Sequence, residues 1–436
     1  MAEATPAERV LELPVWCGEL DVAEVPAQLP RPTRGARSYR LLVREHGEPL
    51  GYVQGALEAG TSVEELFRRV RAELPPPAPA AAAERLRDVA QARRVTVAVC
   101  TRERPEDLRG CLERLRAVRY RPLEVLVVDN APAGTATRDV VARAAEQDAR
   151  VRYVVEPRPG LSRARNRALA EATGEVLAFT DDDVHVDPWW VHGLVRGFDR
   201  RADVGCVTGL VATAGIGTAP EAYFDRRVPW ADVRPHRLYD LAGQRLQDPM
   251  YPYAAGVFGT GANFALDTAL MRDLGGFDEA LGAGSPSRGG EDLDAFVRVL
   301  QAGRAISHEP AAVVWHHHRA DVEGLRRQMY GYGSGLTAFY AKHLLDPRTR
   351  AGFLRSAPHG AARLARVGSA SRSAASGSAA SGSSAAGALP AGASGGASPG
   401  AAGDDAVRAR DLLVRELAGM AVGPLLYAAG RWRGGR

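Results

Sequence analysis

The sequence predicts an α/β protein with a mainly parallel central sheet flanked by helices. From residue 93 onward, short apolar runs alternate with amphipathic stretches of about 10 to 15 residues, the pattern of parallel strands joined by helical crossovers. Several of these runs end in polar residues, and open α/β sheets bind their ligands at the carboxyl ends of parallel strands. We therefore expect the functional site along one edge of the sheet.

The first 74 residues are predicted to form a small α+β module of their own. Strand-like runs over Ser38–Val43 and Leu50–Ala56 flank a hairpin signal, and residues 61–73 are predicted to form a helix. A Pro/Ala-rich linker with a short helix follows over residues 75–92. Nothing in the module's sequence indicates its role.

The alternating elements lie in a domain over residues 93–345. The predicted strands are Val95–Cys100, Leu123–Val128, Val151–Val155, the run that ends at residues 181–183, Val204–Val211 and Phe264–Leu266. The predicted helices are Pro105–Val118, Thr135–Gln147, Leu161–Ala172, Pro188–Arg200, Asp267–Leu274 and residues 290–302. Residues 214–257 are rich in Gly, Pro, Tyr and Trp with little periodicity, so we predict a long, structureless functional loop or lid there.

Two segments follow this domain. Residues 346–403 are predicted to be a low-complexity linker, because their Ser, Ala and Gly residues offer too little bulk to bury. Residues 404–436 resume helical periodicity as a C-terminal amphipathic helix, which either makes peripheral contact with an anionic membrane or packs back on the domain. We expect no window to reach the ~18 apolar residues that a membrane span needs.

Composition and charge narrow the class of protein. The chain has a net charge of +4, but its basic residues are arginines apart from Lys342, and no dense basic run contains interleaved aromatics. We therefore predict no nucleic-acid partner. The cysteines are widely spaced without a CxxC pair, which argues against a zinc ribbon or a disulfide framework. With no apolar segment of signal length near the start, we expect a cytoplasmic protein, either free or peripheral at the inner face of the membrane.

An acidic cluster ends the run Glu175–Asp183, where three consecutive aspartates follow a buried strand. Such crowded carboxylates repel one another unless a cation lies between them. A divalent cation that also binds a phosphorylated substrate would supply this charge, because Mg²⁺ and Mn²⁺ prefer oxygen ligands. The alternative is a solvated turn in which Asp183 or Asp187 caps the next helix.

Five ordered motifs carry a resemblance to a known family. They are Val-Ala-Val-Cys-Thr-Arg-Glu-Arg at 97–104, Val-Val-Asp-Asn at 127–130, Gly-Leu-Ser-Arg-Ala-Arg-Asn at 160–166, Phe-Thr-Asp-Asp-Asp at 179–183 and Gly-Gly-Glu-Asp at 289–292. Together they make residues 95–319 resemble a family 2 inverting glycosyltransferase. The resemblance implies the GT-A (nucleotide-diphospho-sugar transferase) fold and a nucleoside-diphosphate sugar as donor.

The resemblance also implies a metal site. Asp181 and Asp183 match the DxD pair that contacts the ribose and holds Mn²⁺ or Mg²⁺ on the donor diphosphate, where the metal acts as a Lewis acid for the leaving group. Asp182 between them is predicted either to assist nucleotide-sugar binding or to face away. A downstream histidine, His316 in this sequence, completes the metal shell, with Arg319 three residues later. The alternative for the histidines at 316–318 is a polar turn.

Four further residues are predicted to bind the nucleotide sugar. Thr101 and Arg102 leave the first strand of the domain at the same sheet edge as Asp129, which ends the second strand. Arg165 matches the family's Ala-Arg-Asn motif and is predicted to contact nucleotide or phosphate. The alternatives are a turn cap for Asp129 and a solvated helix face for Arg165.

Asp292 is the predicted general base, because an inverting displacement needs one carboxylate to take the proton of the attacking hydroxyl. Glu291 is predicted to bind the acceptor or orient Asp292. The alternative is that both acids merely favour a helix N-terminus.

The predicted function is metal-dependent transfer of one sugar to a hydroxyl acceptor. A cell-envelope glycan, a lipid-linked precursor and a secondary metabolite are the acceptor classes considered. The QxxRW motif of processive synthases is absent from the sequence, which favours a single addition. The alternatives are a sugar-nucleotide nucleotidyltransferase, disfavoured because residues 101–105 contain no glycine, and a non-catalytic sugar-nucleotide-binding scaffold.

Overall fold

The computed structural model describes residues 11–23, 35–58, 63–73, 86–356 and 408–434. In the N-terminal module, strands β1 (Val15–Asp21), β2 (Ser38–Glu45) and β3 (Glu48–Ala56) form one sheet, and helix α1 (Val63–Glu73) packs on it. β1 runs parallel to β2, and β2 runs antiparallel to β3. β1 is an addition to the predicted strands, because its sequence lacks a clear alternation of apolar and polar residues. Residues 61 and 62 of the predicted helix lie outside the described part.

The large domain contains a nine-stranded sheet. Its strands are β4 (Val95–Thr101), β5 (Leu123–Asn130), β6 (Val151–Glu156), β7 (Val176–Asp181), β8 (Val184–Val186), β9 (Val204–Thr213), β10 (Arg237–Tyr239), β11 (Asn263–Asp267) and β12 (Ala305–His316). The helices of this region are α2 (Pro105–Arg116), α3 (Ala136–Gln147), α4 (Leu161–Glu171), α5 (Trp190–Asp199), α6 (Ala219–Arg227), α7 (Thr268–Asp273), α8 (Glu291–Gln301) and α9 (Val322–Leu345). The predicted elements agree with these within about two residues at most ends.

The sheet is mixed rather than mainly parallel. β6, β5, β4 and β7 form a parallel half in that order. β11 runs antiparallel between β7 and β9, and β12 lies parallel to β9 with β8 and β10 antiparallel to it. β11 can run antiparallel because it follows the long segment 214–262 rather than a short helical crossover.

Each face of the sheet packs on helices, which gives the layered arrangement of an α/β domain. One core contains the apolar faces of α2, α3 and α5, including the fully buried Trp190 and Leu194. The opposite core contains α4, α8 and part of α9, including Phe296 and Phe339. The carboxyl ends of β4, β5 and β7 therefore meet at one edge, as the sequence predicts.

The prediction of a structureless loop over residues 214–257 is wrong. This segment contains α6, β10 and two short 3-10 turns, Pro229–Ala231 and Ala255–Val257. Several of its aromatic residues are buried; they are Phe224, Tyr239, Tyr251 and Tyr253. Their irregular spacing hides the periodicity that would reveal an element, although their side chains fill the core.

The C-terminal helix α10 (Ala409–Gly434) packs along α9. The contact depends on small residues: a Cβ at Gly419 would lie 2.2 Å from the carbonyl oxygen of Tyr330, and one at Gly423 would lie 2.0 Å from Thr337 Oγ1. Packing back on the domain is therefore observed for this helix. The prediction of a linker over residues 346–403 is wrong at its start, because residues 350–356 are helical and Phe353 is buried in the core; residues 357–403 lie outside the described part.

The opposite face of α10 is apolar and exposed, with Val414 57%, Leu417 49% and Leu425 72% accessible. By length and composition, the stretch Ala409–Trp432 qualifies as a candidate membrane span, and 28% of its most apolar window is buried. The expectation that no window reaches this threshold is therefore wrong. The reason is that Arg415 and Glu416 interrupt the apolar residues of the helix, so a count of consecutive apolar residues misses a stretch whose mean hydropathy is high.

Candidate active site

Three predicted metal ligands come together at the carboxyl end of β7. Asp181 ends this strand, Asp183 lies in the turn to β8, and His316 ends β12. β8 pairs with β12 so that Val184 lies opposite His316, which places the imidazole beside the acidic turn. One ligand atom from each of these three residues lies within 4.8 Å of the others.

The pKa values of these three residues reflect the crowding of the carboxylates. Burial, together with the charge of Asp183, raises the pKa of Asp181 to about 7. Burial alone would raise the pKa of Asp183 too, but His316, Arg104 and Arg319 hold it below its usual value. Burial lowers the pKa of His316 to about 4, so its imidazole is neutral and able to donate a lone pair at pH 7. Two oxygen donors and one neutral nitrogen fit a divalent cation, and a cation would relieve the repulsion.

Asp182 turns away from the trio and is buried. It accepts a hydrogen bond of 2.7 Å from Thr101 Oγ1 and pairs with Arg104. Arg104 also donates to Asp183 over 3.0 Å, so one guanidinium holds two of the three aspartates. These contacts give Thr101 and Asp182 a structural role, and their contact with a nucleotide sugar stays a prediction. Sequence reasoning missed Arg104, although it ends the first of the five motifs.

Asp129 lies at the same edge, opposite Thr101 in the pairing of β5 with β4. One of its oxygens accepts a hydrogen bond of 2.8 Å from the hydroxyl of Tyr153. The other, Oδ1, is buried without a hydrogen-bond partner among the described residues. Burial raises the pKa of this carboxyl group. Leaving a buried hydrogen-bond acceptor unpaired costs free energy, so this oxygen suits a ligand that offers a hydrogen-bond donor. Arg102 is exposed at the same edge.

Arg165 has protein partners in the structure, and its contact with nucleotide or phosphate stays a prediction. Its guanidinium is buried beneath the site, 3.0 Å from Glu291 and 3.1 Å from the carbonyl oxygen of Gly261. It also lies 5.2 Å from the centre of the Phe264 ring. Burial raises the pKa of Glu291 to about 7, although Arg165 acts to lower it. Arg165 therefore anchors the start of α8, a tertiary role that motif reasoning does not reveal.

Asp292 lies in the first turn of α8 and is half-buried. Its Oδ2 accepts a hydrogen bond of 2.8 Å from the backbone N–H of Gly261. Gly290, with φ +89°, precedes the helix, and a Cβ there would lie 2.6 Å from the carbonyl oxygen of Gly335. A side chain at position 290 would therefore both strain the backbone and push α8 away from α9. Glycine thus allows the close approach that fixes Asp292.

Tyr332 on α9 is a site residue that sequence reasoning missed. The residue is 40% accessible, yet the protein around its hydroxyl raises the pKa, and the nearby carboxylates of Asp292 and Asp181 act in the same direction. Its ring contacts those of Phe224 and Trp230, which come from the segment predicted to be a loop. No sequence signal could have identified it, because a tyrosine in a long helix is most often a packing residue.

The fold and this site define an α/β domain with a cluster of candidate metal ligands at the carboxyl ends of its strands. Residues 96–262 match the family described as glycosyl transferase family 2. This match covers four of the five motifs and confirms the family resemblance predicted from the sequence, and the layered α/β domain agrees with the predicted fold class.

Curated relatives are similar to more than half of the chain. A pre-mycofactocin glycosyltransferase of Mycobacterium tuberculosis is 29% identical over 251 residues, which cover 58% of this chain and 48% of the relative. A glucosyl-dolichyl phosphate glucuronosyltransferase of Haloferax volcanii is 24% identical, covering 58% and 77%. The succinoglycan biosynthesis protein ExoM of Rhizobium meliloti is 29% identical, covering 55% and 72%. The chain spans about half the length of the first of these relatives.

Two solved structures are also similar. The mannosyltransferase PcManGT from Pyrobaculum calidifontis, in complex with GDP-Man and Mn²⁺, is 20% identical with a TM-score of 0.45, covering 78% of this chain and 89% of that chain. S. aureus TarS 1-349 in complex with UDP is 17% identical with a TM-score of 0.40, covering 59% and 73%.

Proposed function

We propose that this protein is a metal-dependent, inverting glycosyltransferase that transfers a single sugar from a nucleoside-diphosphate sugar to a hydroxyl acceptor. The observation that carries the proposal is the convergence of Asp181, Asp183 and His316 within 4.8 Å at the end of β7. The family match supports glycosyl transfer, and the trio supports a divalent cation as the partner of the donor diphosphate.

In this proposal, the carboxylates of Asp181 and Asp183 and the imidazole of His316 hold Mn²⁺ or Mg²⁺. The mixed oxygen and nitrogen donor set favours Mn²⁺, because imidazole is a poorer ligand for Mg²⁺. The bound ion would supply Lewis-acid stabilisation of the leaving diphosphate. Arg104 and Arg319, which lie 3.0 and 3.5 Å from Asp183, hold this carboxylate in place.

Asp292 is the proposed general base. The backbone N–H groups of Gly261 and Leu293 each donate to one of its oxygens, which fixes the carboxylate, and the residue stays partly exposed. Glu291 is buried against Arg165 and therefore positions the helix start rather than contacting an acceptor directly. Because a single displacement inverts the anomeric carbon, the configuration of the product, read by NMR coupling constants, tests this assignment.

Thr101, Arg102 and Asp129 are proposed to line the nucleotide side. The support is the unpaired buried oxygen of Asp129, which suits a donor group on the base or ribose. The names of the relatives include a pre-mycofactocin, a succinoglycan and a dolichyl phosphate enzyme, so the acceptor of this chain can be a secondary metabolite, a cell-envelope glycan or a lipid-linked precursor.

We also propose a cytoplasmic protein that contacts the inner face of the membrane through α10. The support is the exposed apolar face of this helix, formed by Val414, Leu417 and Leu425. Arg410 and Arg415 lie near one end of this face and Arg431 near the other, where they would contact anionic headgroups.

A donor panel tests the proposed activity. UDP-, GDP- and dTDP-sugars are incubated with the protein and Mn²⁺ or Mg²⁺, and slow release of nucleoside diphosphate is measured without acceptor. We expect release from one donor, abolished by EDTA and by Asp183→Ala but retained by Asp273→Ala, which removes an exposed carboxylate on α7. Release that persists in EDTA would exclude metal dependence. If no donor is hydrolysed or bound, the proposed transfer reaction is rejected.

A further inference from the structure

A basic groove lies between the start of α9, the turn before α8 and the first half of α10. Its volume is about 230 Å³. The residues that line it are Arg288, Glu323, Arg326, Arg327, Tyr330 and Arg415. Four guanidinium groups thus face one carboxylate in a space large enough for one or two phosphate groups.

The positive charge of the groove is incompletely neutralised. Arg326 and Arg327 share the single carboxylate of Glu323, each at 3.7 Å, and Arg326 also lies 3.8 Å from Asp411. Among the described residues, no carboxylate forms an ion pair with Arg288 or Arg415. Like charges gathered in this way repel one another unless an anion binds between them.

Arg288 is held in place by its surroundings. Its φ of +65° is a left-handed backbone conformation that residues other than glycine rarely adopt. Its guanidinium lies 5.0 Å from the centre of the Tyr330 ring, at a distance typical of cation–π contacts. The side chain is therefore oriented along the groove before any ligand arrives, which lowers the entropic cost of binding.

We propose that this groove binds the phosphate or diphosphate group of the acceptor. Guanidinium groups bind phosphate oxygens through two parallel hydrogen bonds, and the groove offers at least two that lack a carboxylate partner. The inference rests on the proposed transfer reaction, because it assigns a substrate class to the acceptor side of that site.

The position of the groove supports this assignment. Arg288 lies four residues before Asp292, the proposed base, in the turn that leads into α8. On α9, Tyr330 lines the groove, and Tyr332 lies within the electrostatic reach of Asp292. The turn that contributes Arg288 to the groove therefore leads directly to the carboxylate that takes the acceptor's proton.

Two sources of phosphate are compatible with the groove. A soluble phosphorylated acceptor would enter from solvent. A lipid phosphate would enter from a membrane, and its chain would lie along the exposed apolar face of α10, where Val414 and Leu417 flank Arg415. Both sources present the same phosphate chemistry to the arginines.

Calorimetry with inorganic pyrophosphate tests the groove itself. The titration is made in EDTA, so that no metal links the ligand to the acidic trio. We expect binding that is weakened at least about tenfold in Arg288→Ala/Arg415→Ala and unchanged in Arg143→Ala, which removes an exposed arginine on α3. Because the replaced side chains are exposed, the double variant is expected to fold. Equal affinity in the wild type and the double variant, or absence of binding in both, would overturn the proposal.

Vesicle flotation separates the two sources. Binding to vesicles that contain phosphatidylglycerol, weakened in Arg288→Ala, which leaves Arg415 of the proposed membrane face in place, and displaced by pyrophosphate, would identify a lipid phosphate as the ligand. Pyrophosphate binding without vesicle binding would identify a soluble phosphorylated acceptor. Metal-dependent release of nucleoside diphosphate from the donor is expected to be the same in the double variant and the wild type. Calorimetry and flotation therefore test the groove, whereas release of nucleoside diphosphate tests the proposed transfer reaction, so either proposal can be rejected without the other.

Discussion

Asp292 combines a fixed position with partial exposure, and this combination leads to a prediction for catalysis. Substitution of Asp292 by Asn keeps the shape of the side chain and its acceptor oxygen for the N–H of Gly261, but removes its capacity to take a proton. We expect kcat to fall by about 10²- to 10⁴-fold, the usual contribution of a general base, with donor affinity unchanged. Steady-state kinetics and calorimetry with the donor measure the two quantities.

The matched control is Asp273→Asn, which changes an exposed carboxylate far from any predicted motif. An Asp292→Asn enzyme with the kcat of the wild type would assign the proton transfer to another group. A loss of donor binding alongside kcat would instead indicate that Asp292 maintains the structure of the donor pocket.

At the residue scale, motif spacing predicts which side chains converge but not how they are oriented. Asp181 and Asp183 could be predicted because they follow a buried strand at the sheet edge, whereas His316 could be predicted only through the resemblance to the family. The position of Arg165 could not be predicted, because its motif does not indicate how deeply the side chain is buried. Its partner Glu291 is 126 residues away in sequence. The position of Tyr332 near the site likewise depends on how α9 crosses it, which the sequence does not indicate.

Helices α8 and α9 are joined by a buried ionic cluster around Asp294. This carboxylate is fully buried and lies 2.8 Å from Arg298 Nε and 2.7 Å from Lys342 Nζ. Burial acts to raise its pKa, but Arg298, Lys342 and His343 together hold the pKa below its usual value. The cluster therefore stabilises the junction only while Asp294 is ionised.

We predict that Asp294→Asn lowers the free energy of unfolding by about 3 kcal/mol at pH 7, because it leaves the largely buried Arg298 without its counter-charge and Lys342 with Asp278 alone, 3.2 Å away. The folded pKa lies below that of the unfolded chain, so the stabilisation is complete above pH ~4 and is lost as the pH falls through the folded value. Urea unfolding at pH 7 and pH 3 should show a smaller difference between variant and wild type at the lower pH. A difference that does not change with pH would contradict the ionic origin.

The contact between α9 and α10 depends on glycines that leave no space for a side chain. At Gly423, a Cβ would lie 2.0 Å from Thr337 Oγ1 and 2.5 Å from the carbonyl oxygen of Ser334. We predict that Gly423→Val separates α10 from α9, because backbone atoms cannot move aside as a flexible side chain can. Limited proteolysis should then cleave within 408–434 much faster than in the wild type.

The control for this prediction is Gly134→Val, since nothing lies within 4 Å of a Cβ at that position. Equal rates of cleavage in Gly423→Val and the wild type would show that the helix pair tolerates a larger separation. At the element scale, the sequence predicts that α10 is a helix but not which face packs. Apolar residues occur on both faces, and only the glycine positions distinguish the packed one.

The N-terminal module, whose role the sequence leaves open, is linked to both sides of the acidic turn. Arg44 of β2 lies 2.7 Å from Asp187, which precedes α5 just after the turn. Arg40 of the same strand pairs with Asp225, whose other oxygen lies 3.7 Å from His318 Nε2. These pairs join residues 143 and 185 positions apart, so no local pattern could have predicted them. The docking of the module therefore depends on contacts between parts of the chain that are distant in sequence.

This arrangement predicts that the module affects metal binding rather than the chemical step. In Arg40→Met/Arg44→Met, the turn of Asp183 and the strand end of His316 lose their outer supports. We expect the Mn²⁺ concentration for half-maximal donor hydrolysis to rise about 10- to 100-fold, as for other outer partners of metal ligands, with the rate at saturating Mn²⁺ unchanged. Arg68→Met on α1, which is exposed and pairs with Glu65 of its own helix, is the control. An unchanged Mn²⁺ requirement, with the fold intact by circular dichroism, would show that the module is attached to the domain without supporting its site.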